Sequence, residues 1–386
     1  MNYGEQEHIT LLRDNIKRFI DKELSREHAI QLDKDCTFSM EIFKKLCSLG
    51  VTGTTIPEEY GGTGVDILAA IVTIEELCKR GTSLAGPFIH CAFYGGMNIA
   101  ENGSAEQKQK YLPELAKGNL FFAYGLSEPD VGGDLSSVST SADEKDGFFY
   151  INGTKRWCTG ARFSDYILTL VRSGPKEEKY KNLSLIIIPT NIDGITITDI
   201  DHLGLRYGST TDVHFDNVKV PLENTLGGII NISKGWEQLS SRALDVEKLE
   251  ITAVAFGIAC AAVEDAWNYA QERKQFGKLI SAHQSIRHAL ADVKTQLNAC
   301  RHMLYHGAYL ANLEQDCAIE TSMAKLFVGE ASVDIVLKCQ RILGAYGCAS
   351  EYDMERNVRD IVLMPIVGGS SNMQRNNIVN RLKLSY

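Results

Sequence analysis

The spacing of the hydrophobic residues changes twice along this 386-residue chain. Residues 5–118 carry apolar side chains at helical spacing, residues 121–226 carry short alternating or β-branched runs, and long helical repeats return from Trp236 onward. We therefore predict an α+β multidomain protein. It has an N-terminal helical domain at residues 1–120, a central antiparallel β-barrel or sandwich at 121–228, and a C-terminal four-helix-bundle domain at 229–386.

The central region is predicted to be antiparallel because its short apolar runs are separated by Gly, Asn and Asp clusters, without long helices between them. Four of these runs indicate strands, at residues 148–151, 166–171, 183–189 and 195–200. In the C-terminal region, the helical repeats predict three long helices, at residues 244–273, 284–313 and 317–343.

Composition and charge exclude several classes of protein. With 44% apolar and 23% charged residues, the chain is typical of a globular protein rather than a disordered or fibrous one. The net charge of −9 argues against nucleic acid as a partner, and no apolar run approaches the roughly 20 residues of a membrane span. Ten scattered cysteines without a Cys-x-x-Cys pair, and a polar start at residues 1–18 without a secretory signal, indicate a cytoplasmic protein.

Six short motifs follow one another along the chain. They are PEEYGG (57–62), LSEPDVGGD (126–134), NGTKRWCT (152–159), RKQFG (273–277), QRILGAYG (340–347) and GGSSNMQR (368–375). In order and spacing they resemble the motifs of the acyl-CoA dehydrogenases along nearly the full length. The resemblance implies FAD as cofactor, an acyl thioester as substrate, and a homo-oligomer, either a dimer or a tetramer. It also implies electron-transfer flavoprotein or oxygen as the electron acceptor.

By the same resemblance, two groups of residues bind FAD. Around the flavin ring system we expect Tyr124, Leu126, Ser127, Trp157 and Thr159, with Ser370 and Asn372 as further cofactor contacts. A neighbouring subunit is expected to hold the pyrophosphate and adenosine end through Arg273, Phe276, Gln284, Gln340 and Gly344. The alternatives are that Trp157 is a core aromatic, that Arg273 is a solvated charge at a helix end, and that the glycines only terminate a helix.

The base that removes the α-proton of the thioester is the main departure from the family pattern. Most members place a glutamate where this chain has Gly368. A minority, resembling isovaleryl-CoA dehydrogenase, carries the base on the long helix after the β domain, and the matching residue here is Glu247. We expect Glu247 to be the base, the β-hydride to pass to flavin, and the backbone N–H of Gly368 to polarise the thioester carbonyl. The alternatives are that Glu247 only favours the helix N-terminus, or that Glu250 is the base.

The expected substrate contacts are Gly133, Asp245, Lys248 and Gly369. Gly133 replaces a common Ser and Lys248 a common Arg, so the thioester carrier is left open between CoA and a carrier protein. An oxidase and a catalytically silent flavoprotein of the same fold are further alternatives.

The end of the acyl pocket is expected at His90, Phe93 and Tyr94, whose bulk indicates a short or compact acyl group. No metal site is predicted. His302 and His306 are four residues apart on a predicted helix, but no third ligand is evident near them.

Overall fold

The N-terminal region is helical, as predicted. The computed structural model describes residues 6–383, so residues 1–5 and 384–386 of the predicted terminal domains lie outside the described part. The helices of this region are α1 (Glu7–Glu23), α2 (Arg26–Lys34), α3 (Met40–Cys47), α4 (Ile67–Cys78), α5 (Ala85–Ile89), α6 (Asn98–Asn102) and α7 (Ala105–Ala116). Between α5 and α6 the chain forms a π-helical segment, His90–Met97, a rare conformation that is frequent at functional sites.

Seven strands form one curled sheet in the middle of the chain. They are β1 (Phe122–Gly125), β2 (Ser141–Lys145), β3 (Phe148–Lys155), β4 (Tyr166–Arg172), β5 (Leu183–Pro189), β6 (Ile195–Ile200) and β7 (Thr210–Pro221). The order along the sheet is β1-β4-β2-β3-β7-β6, and β5 pairs with β4 over its whole length, from Tyr166 to Arg172. Most pairs are antiparallel, as predicted, but β1 runs parallel to β4, with Phe122 opposite Tyr166, and β2 meets β4 in parallel at Ser141 and Arg172.

The C-terminal region consists of long helices. They and the two short strands among them are α8 (Gly235–Leu239), α9 (Arg242–Glu272), β8 (Lys274–Gln275), β9 (Lys278–Leu279), α10 (Gln284–Asn312), α11 (Ala318–Leu343), α12 (Asp353–Ile361) and α13 (Ser371–Arg381). The three predicted long helices are confirmed to within two residues at each end. No helix within residues 6–383 is both long enough and apolar enough to cross a membrane.

Helix α9 is the centre of the main core. It packs against α4, α10, α11 and α12, and most of its side chains are buried. Small residues allow these neighbours to approach closely. A Cβ atom on Gly257 would lie 2.6 Å from the backbone oxygen of Glu75 on α4, so no larger residue fits there without moving one of the two helices.

A buried ion pair fixes the loop after β1. The Nζ atom of Lys155 lies 2.8 Å from Oε1 of Glu128 and donates a second hydrogen bond to the carbonyl oxygen of Leu126 at 3.1 Å. The backbone N–H groups of Ser139 and Thr140 donate to the two carboxylate oxygens of Glu128. Burial by itself raises the pKa of Glu128, but the Lys155 charge and these hydrogen bonds outweigh it and lower the pKa to about 2.

Replacing Glu128 with Ala is expected to lower the free energy of unfolding by about 3 to 5 kcal/mol, because Lys155 is then left buried without its partner. Denaturant unfolding measures the change. Glu114→Ala is the control, since it removes an exposed carboxylate that pairs with Lys117, and should have little effect. The double variant Glu128→Leu/Lys155→Met should recover part of the loss. Equal stability of the Glu128→Ala and Glu114→Ala proteins would contradict the structural role of the buried pair.

Candidate active site

Two glutamates lie near the start of α9. Ser241 caps the helix by accepting a hydrogen bond from the N–H of Ala243, and Glu247 and Glu250 follow in the first turns. Because they are three residues apart, their side chains share one face of the helix, with Cβ atoms about 5–6 Å apart. Glu247 is half-buried, and Glu250 has no solvent-exposed surface at all, at 0%.

The pKa of Glu247 is raised to about 7. Burial is the main cause, while the Lys248 charge and a hydrogen bond with Tyr124 act in the opposite direction. The hydroxyl oxygen of Tyr124 accepts a hydrogen bond from Nδ2 of Asn98 at 2.6 Å. The hydroxyl proton of Tyr124 is therefore free to be donated to the Glu247 carboxylate.

Glu250 is a buried carboxyl group without a satisfying partner. Neither of its oxygens accepts a well-formed hydrogen bond from any residue within 6–383. Burial and repulsion by Glu247 raise the pKa of Glu250 well above its usual value, and the nearby Tyr94 hydroxyl opposes this shift only partly. Tyr207 also lies close enough for its own pKa to be raised by the Glu250 charge.

The neighbouring His90 is neutral and hydrogen-bonded. Its Nδ1 lies 2.7 Å from the carbonyl oxygen of Phe122, which can only accept, so Nδ1 carries the proton. Its Nε2 then accepts from the Tyr207 hydroxyl at 3.4 Å. Burial lowers the pKa of His90 to about 4. Since Tyr207 donates its proton to His90, it does not donate it to Glu250.

Gly368 lies against α9, one turn beyond Glu247. It has φ of +60°, a conformation that residues with side chains rarely adopt, and a Cβ atom there would lie 2.9 Å from Cγ1 of Ile251. A side chain at this position would thus meet both backbone strain and the helix. The N–H of Gly368 donates to no backbone or side-chain acceptor in the described part of the chain.

The other expected substrate contacts surround this point. A Cβ atom on Gly133 would lie 3.1 Å from Sδ of Met373, which brings the loop after β1 onto the first turns of α13. The carbonyl oxygen of Gly369 accepts from Nε2 of Gln374. Lys248 is buried, and its Nζ lies 2.7 Å from Oδ1 of Asp245, so its charge is used within the protein rather than exposed to solvent.

Ser370 and Asn372 begin α13. The Ser370 hydroxyl accepts from the N–H of Met373 as the helix cap, and Oδ1 of Asn372 accepts from Arg375. Both residues therefore lie next to the Gly133 loop, in the same part of the molecule as Gly368.

The residues expected around a flavin ring are brought together at the edge of the sheet. The backbone N–H of Arg156 donates to the carbonyl oxygen of Ser127, which ties the Leu126 loop to the end of β3. Trp157 has φ of +65° and remains 55% exposed, so it is not a core aromatic. The Thr159 hydroxyl lies 3.0 Å from that of Thr210, and Cys158 beside them is a packed thiol whose pKa burial raises to about 12.

Tyr124, which was expected near the ring, lies deeper in this region. Its ring stacks on that of Tyr94 at a centroid distance of 4.3 Å. It thus joins the sheet region to the pair of glutamates on α9.

The second group of expected cofactor contacts lies at the opposite end of α9. Arg273 follows the last residue of the helix, and its guanidinium lies 5.5 Å from the ring centroid of Tyr346. Nε2 of Gln340 donates to the carbonyl oxygen of Gly347, beside Gly344, which has φ of +62° and open space around it.

Phe276 and Gln284 complete this second group. Phe276 is 93% exposed, and Gln284 is the first residue of α10. About 26 residues of helix separate Glu247 from Arg273, a length of roughly 39 Å. One copy of the chain therefore does not bring the two groups of expected cofactor contacts together.

Comparison with known proteins decides the family. The chain matches the acyl-CoA dehydrogenase N-terminal domain over residues 6–119, the middle domain over 123–218 and the C-terminal domain over 233–383. The chain belongs to the acyl-CoA dehydrogenase family. It is an FAD-dependent oxidoreductase that acts on CH–CH bonds.

Individual relatives agree with this assignment. An acyl-CoA dehydrogenase of Bacillus subtilis (strain 168) is 36% identical over 95% of each chain. The Caffeyl-CoA reductase-Etf complex subunit CarC of Acetobacterium woodii is 31% identical over 97% of each chain. The structure of butyryl-CoA dehydrogenase from Megasphaera elsdenii superposes with a TM-score of 0.93 at 28% identity, covering 99% of this chain and 100% of that one.

The residues at the sheet edge fit the flavin of an acyl-CoA dehydrogenase. An exposed indole beside the Ser127 and Thr159 hydroxyls offers an aromatic face and polar contacts to a flat, polar ring system. At the far end of α9, Arg273 offers a guanidinium suited to a pyrophosphate, and Gly344 leaves room for close approach.

Three further residues of this acyl-CoA dehydrogenase site were not identified from the sequence. Asn98 orients Tyr124, Ile251 fills the space beside Gly368, and Tyr207 lies near Glu250. Each is distant in sequence from the residue that it affects or lacks a distinctive motif. Glu250, by contrast, was already named from the sequence as the alternative base.

Replacing Phe276 with Ala is expected to reduce the FAD content of the purified protein while leaving unfolding unchanged, because a 93% exposed ring contributes little to the core of its own chain. Flavin absorbance per protein and thermal unfolding measure the two effects. Leu11→Ala, at another exposed apolar position, is the control and should keep its FAD. Full FAD content in the Phe276→Ala protein would exclude a cofactor contact by this ring.

Proposed function

We propose that this protein oxidises the acyl group of a CoA thioester between its α and β carbons, with Glu247 as the base. The observation that carries the proposal is the position of Glu247. It is half-buried on α9, one helical turn before the contact between Ile251 and Gly368. Because Gly368 has no side chain and no room for one, the usual family base is absent, and a carboxylate from α9 takes over its function.

The reaction breaks two C–H bonds and forms one C=C bond. The proton of the α C–H bond passes to a carboxylate oxygen of Glu247, and the electron pair of that bond becomes the second bond between the α and β carbons. FAD, when bound, supplies the acceptor for the hydride that leaves the β carbon. Glu247 therefore has to be ionised before the reaction and carries the proton after it.

The surroundings of Glu247 suit this role. A pKa of about 7 makes it a stronger base than an ordinary glutamate while leaving a large ionised fraction near neutral pH. Tyr124 orients the carboxylate and is itself held by Asn98. The Lys248 charge prevents the pKa from rising further, so we assign Lys248 and its partner Asp245 to tuning the base at the entrance of the site.

The thioester carbonyl is proposed to bind at the N–H of Gly368, which has no acceptor within the described residues. A donor at this point stabilises the negative charge that develops on the carbonyl oxygen as the α-proton leaves. A backbone N–H serves this purpose without any side chain at position 368. We assign Gly369, which follows Gly368 in the chain, and Gly133, which lies against Met373, to contacts with the thioester arm.

A second copy of the chain is proposed to complete the cofactor site. Trp157, Ser127 and Thr159 of one copy would hold the ring system of FAD, and Arg273 and Phe276 of another copy the pyrophosphate and adenosine. The support is that Arg273 of the second group lies roughly 39 Å along α9 from Glu247, the residue to which Tyr124 of the first group is hydrogen-bonded.

Electron-transfer flavoprotein is the proposed electron acceptor, as the name of the Acetobacterium woodii relative suggests. We also propose a cytoplasmic location, which is supported by ten free cysteine thiols.

Replacing Glu247 with Gln is expected to slow anaerobic bleaching of the flavin by acyl-CoA at least about 100-fold, because the base is removed while the shape is kept. Stopped-flow absorbance measures the rate. Glu264→Gln, an exposed glutamate on the same helix, is the control and should bleach as fast as the wild type. Equal bleaching rates in the Glu247→Gln and wild-type proteins would show that Glu247 is not the base.

The same assay distinguishes CoA from a carrier protein as the thioester carrier, and electron-transfer flavoprotein from oxygen as the electron acceptor. The wild type should bleach with CoA thioesters faster than with the same acyl groups on a carrier protein, and should reoxidise faster with electron-transfer flavoprotein than with oxygen. Fast turnover with oxygen alone would identify an oxidase instead. A flavin that no thioester bleaches would identify a catalytically silent flavoprotein.

The rate of flavin bleaching is expected to rise with pH through about 7 and to level off above it, because only ionised Glu247 accepts the proton. This rising part of the pH profile is its acidic limb. Lys248→Met should move the limb to higher pH, since the Lys248 charge lowers the pKa of Glu247. Lys248→Arg keeps the charge and should leave the limb in place. Profiles that coincide for all three proteins would contradict the assignment of the limb to Glu247.

A further inference from the structure

Glu250 is not needed for the chemistry proposed above, and its position has no structural explanation. It lies in the most buried part of α9, where an apolar residue would pack without cost. Both of its oxygens lack a hydrogen-bond partner among residues 6–383. A buried polar group without a partner destabilises the protein that contains it, and such a group indicates a binding partner that arrives later.

The neighbours of Glu250 indicate where that partner lies. Tyr94 comes from the π-helical segment, and Tyr207 from the chain between β6 and β7. His90 lies behind them as a neutral ring whose two nitrogens are both engaged. The rings of Tyr94 and Tyr207 both pack edge-on against His90, at centroid distances of 5.0 and 5.9 Å, so the three rings form one aromatic cluster beside Glu250.

The spacing along α9 relates Glu250 to the acyl chain. If Glu247 acts at the α carbon, the Cβ atom of Glu250 lies about 5–6 Å from that of Glu247, the length of about four carbon–carbon bonds. It thus faces the distal part of an acyl group that extends from Gly368 toward Tyr94. This placement rests on the proposed function, because it takes the α carbon to be at Glu247.

We propose that Glu250 is a specificity residue that accepts a hydrogen bond from a hydroxyl or ammonium group on the distal part of the acyl chain. A carboxyl group keeps an oxygen that accepts hydrogen bonds whether it is ionised or not. A donor, and above all a cation, is also favoured by the nearby Glu247 carboxylate, whereas an anionic acyl group is repelled by it. The substrate class is therefore an acyl-CoA with an N–H or O–H donor near its end.

The test compares matched straight-chain acyl-CoA thioesters that end in methyl, hydroxyl, ammonium or carboxylate. Flavin bleaching is measured with wild type, Glu250→Leu, Glu250→Gln and the control Glu264→Gln. Wild type and control should prefer the hydroxyl or ammonium substrate over the methyl one by about tenfold or more, and should use the carboxylate poorly. Glu250→Leu should reverse this preference. Glu250→Gln should keep the hydroxyl preference and lose the ammonium one, which separates the two kinds of donor.

Stability gives an independent readout. Without substrate, Glu250→Leu should unfold at a higher temperature than wild type, because an unsatisfied buried group has been replaced by an apolar one. Thermal protection by the hydroxyl and ammonium thioesters should be strong in wild type and weak in Glu250→Leu. Protection with this selectivity but without bleaching would contradict the proposed function and leave the role of Glu250 intact.

Three results would overturn the inference. Wild type that prefers the methyl substrate shows that no donor is recognised. A preference that Glu250→Leu does not change shows that another residue recognises it. Loss of bleaching with every substrate in FAD-loaded Glu250→Leu and Glu250→Gln, while Glu247→Gln remains active, identifies Glu250 as the base.

Discussion

The burial of helix α9 is the constraint on which the site depends. The helix runs for 31 residues between α4, α10, α11 and α12, with Ala and Gly where its neighbours approach. A helix enclosed in this way cannot rotate or shift without opening gaps in a close-packed core. The directions of Glu247 and Glu250 are therefore fixed by packing along the whole length of the helix. Gly368 meets the same helix at Ile251, so the proposed base and the proposed carbonyl donor are both held in place by α9.

Two buried glutamates in this protein show that burial raises the pKa of a carboxyl group unless nearby charges and hydrogen bonds outweigh it. Glu128 and Glu250 are both nearly inaccessible to solvent. Glu128 has Lys155 and two backbone N–H groups, and its pKa falls to about 2, whereas Glu250 has no such partners and a negative neighbour, and its pKa rises. The first arrangement holds a loop in place. The second arrangement destabilises the protein unless a bound ligand supplies the missing hydrogen bond. This pattern is expected where a protein loses stability to gain function.

The separation of the two groups of cofactor contacts follows from the length of the same helix. Residues at the start and end of a straight, 31-residue helix cannot meet. The second copy of the chain that we propose would let one cofactor contact both kinds of residue. The exposed Phe276 and Trp157 are consistent with this arrangement, because large aromatic side chains at the surface favour contact with a ligand or a partner.

Much of the local structure could be predicted because it depends on the residues of one segment. Strands 183–189 and 195–200 and the three long helices lie where the periodicity placed them, since periodic burial is a property of the segment itself. The motifs also indicated the family and suggested that Glu247 replaces the base missing at Gly368. The parallel pairing of β1 with β4 and the π-helical segment at His90–Met97 could not be read in this way. They are set by contacts with other parts of the chain.

The sequence by itself determined the order of helical and strand-rich regions, the family motifs and the residue types available for chemistry. Only the tertiary structure decided that Glu250 is buried without a partner, that Tyr124 and Asn98 support Glu247, and that Ile251 excludes a side chain at position 368. The physical reason is that the types of residues and the spacing of the apolar ones predict which side of a single helix or strand is buried. Its hydrogen-bond partners and its local dielectric environment come from segments that are distant in sequence, and these are specified only when the layers pack together.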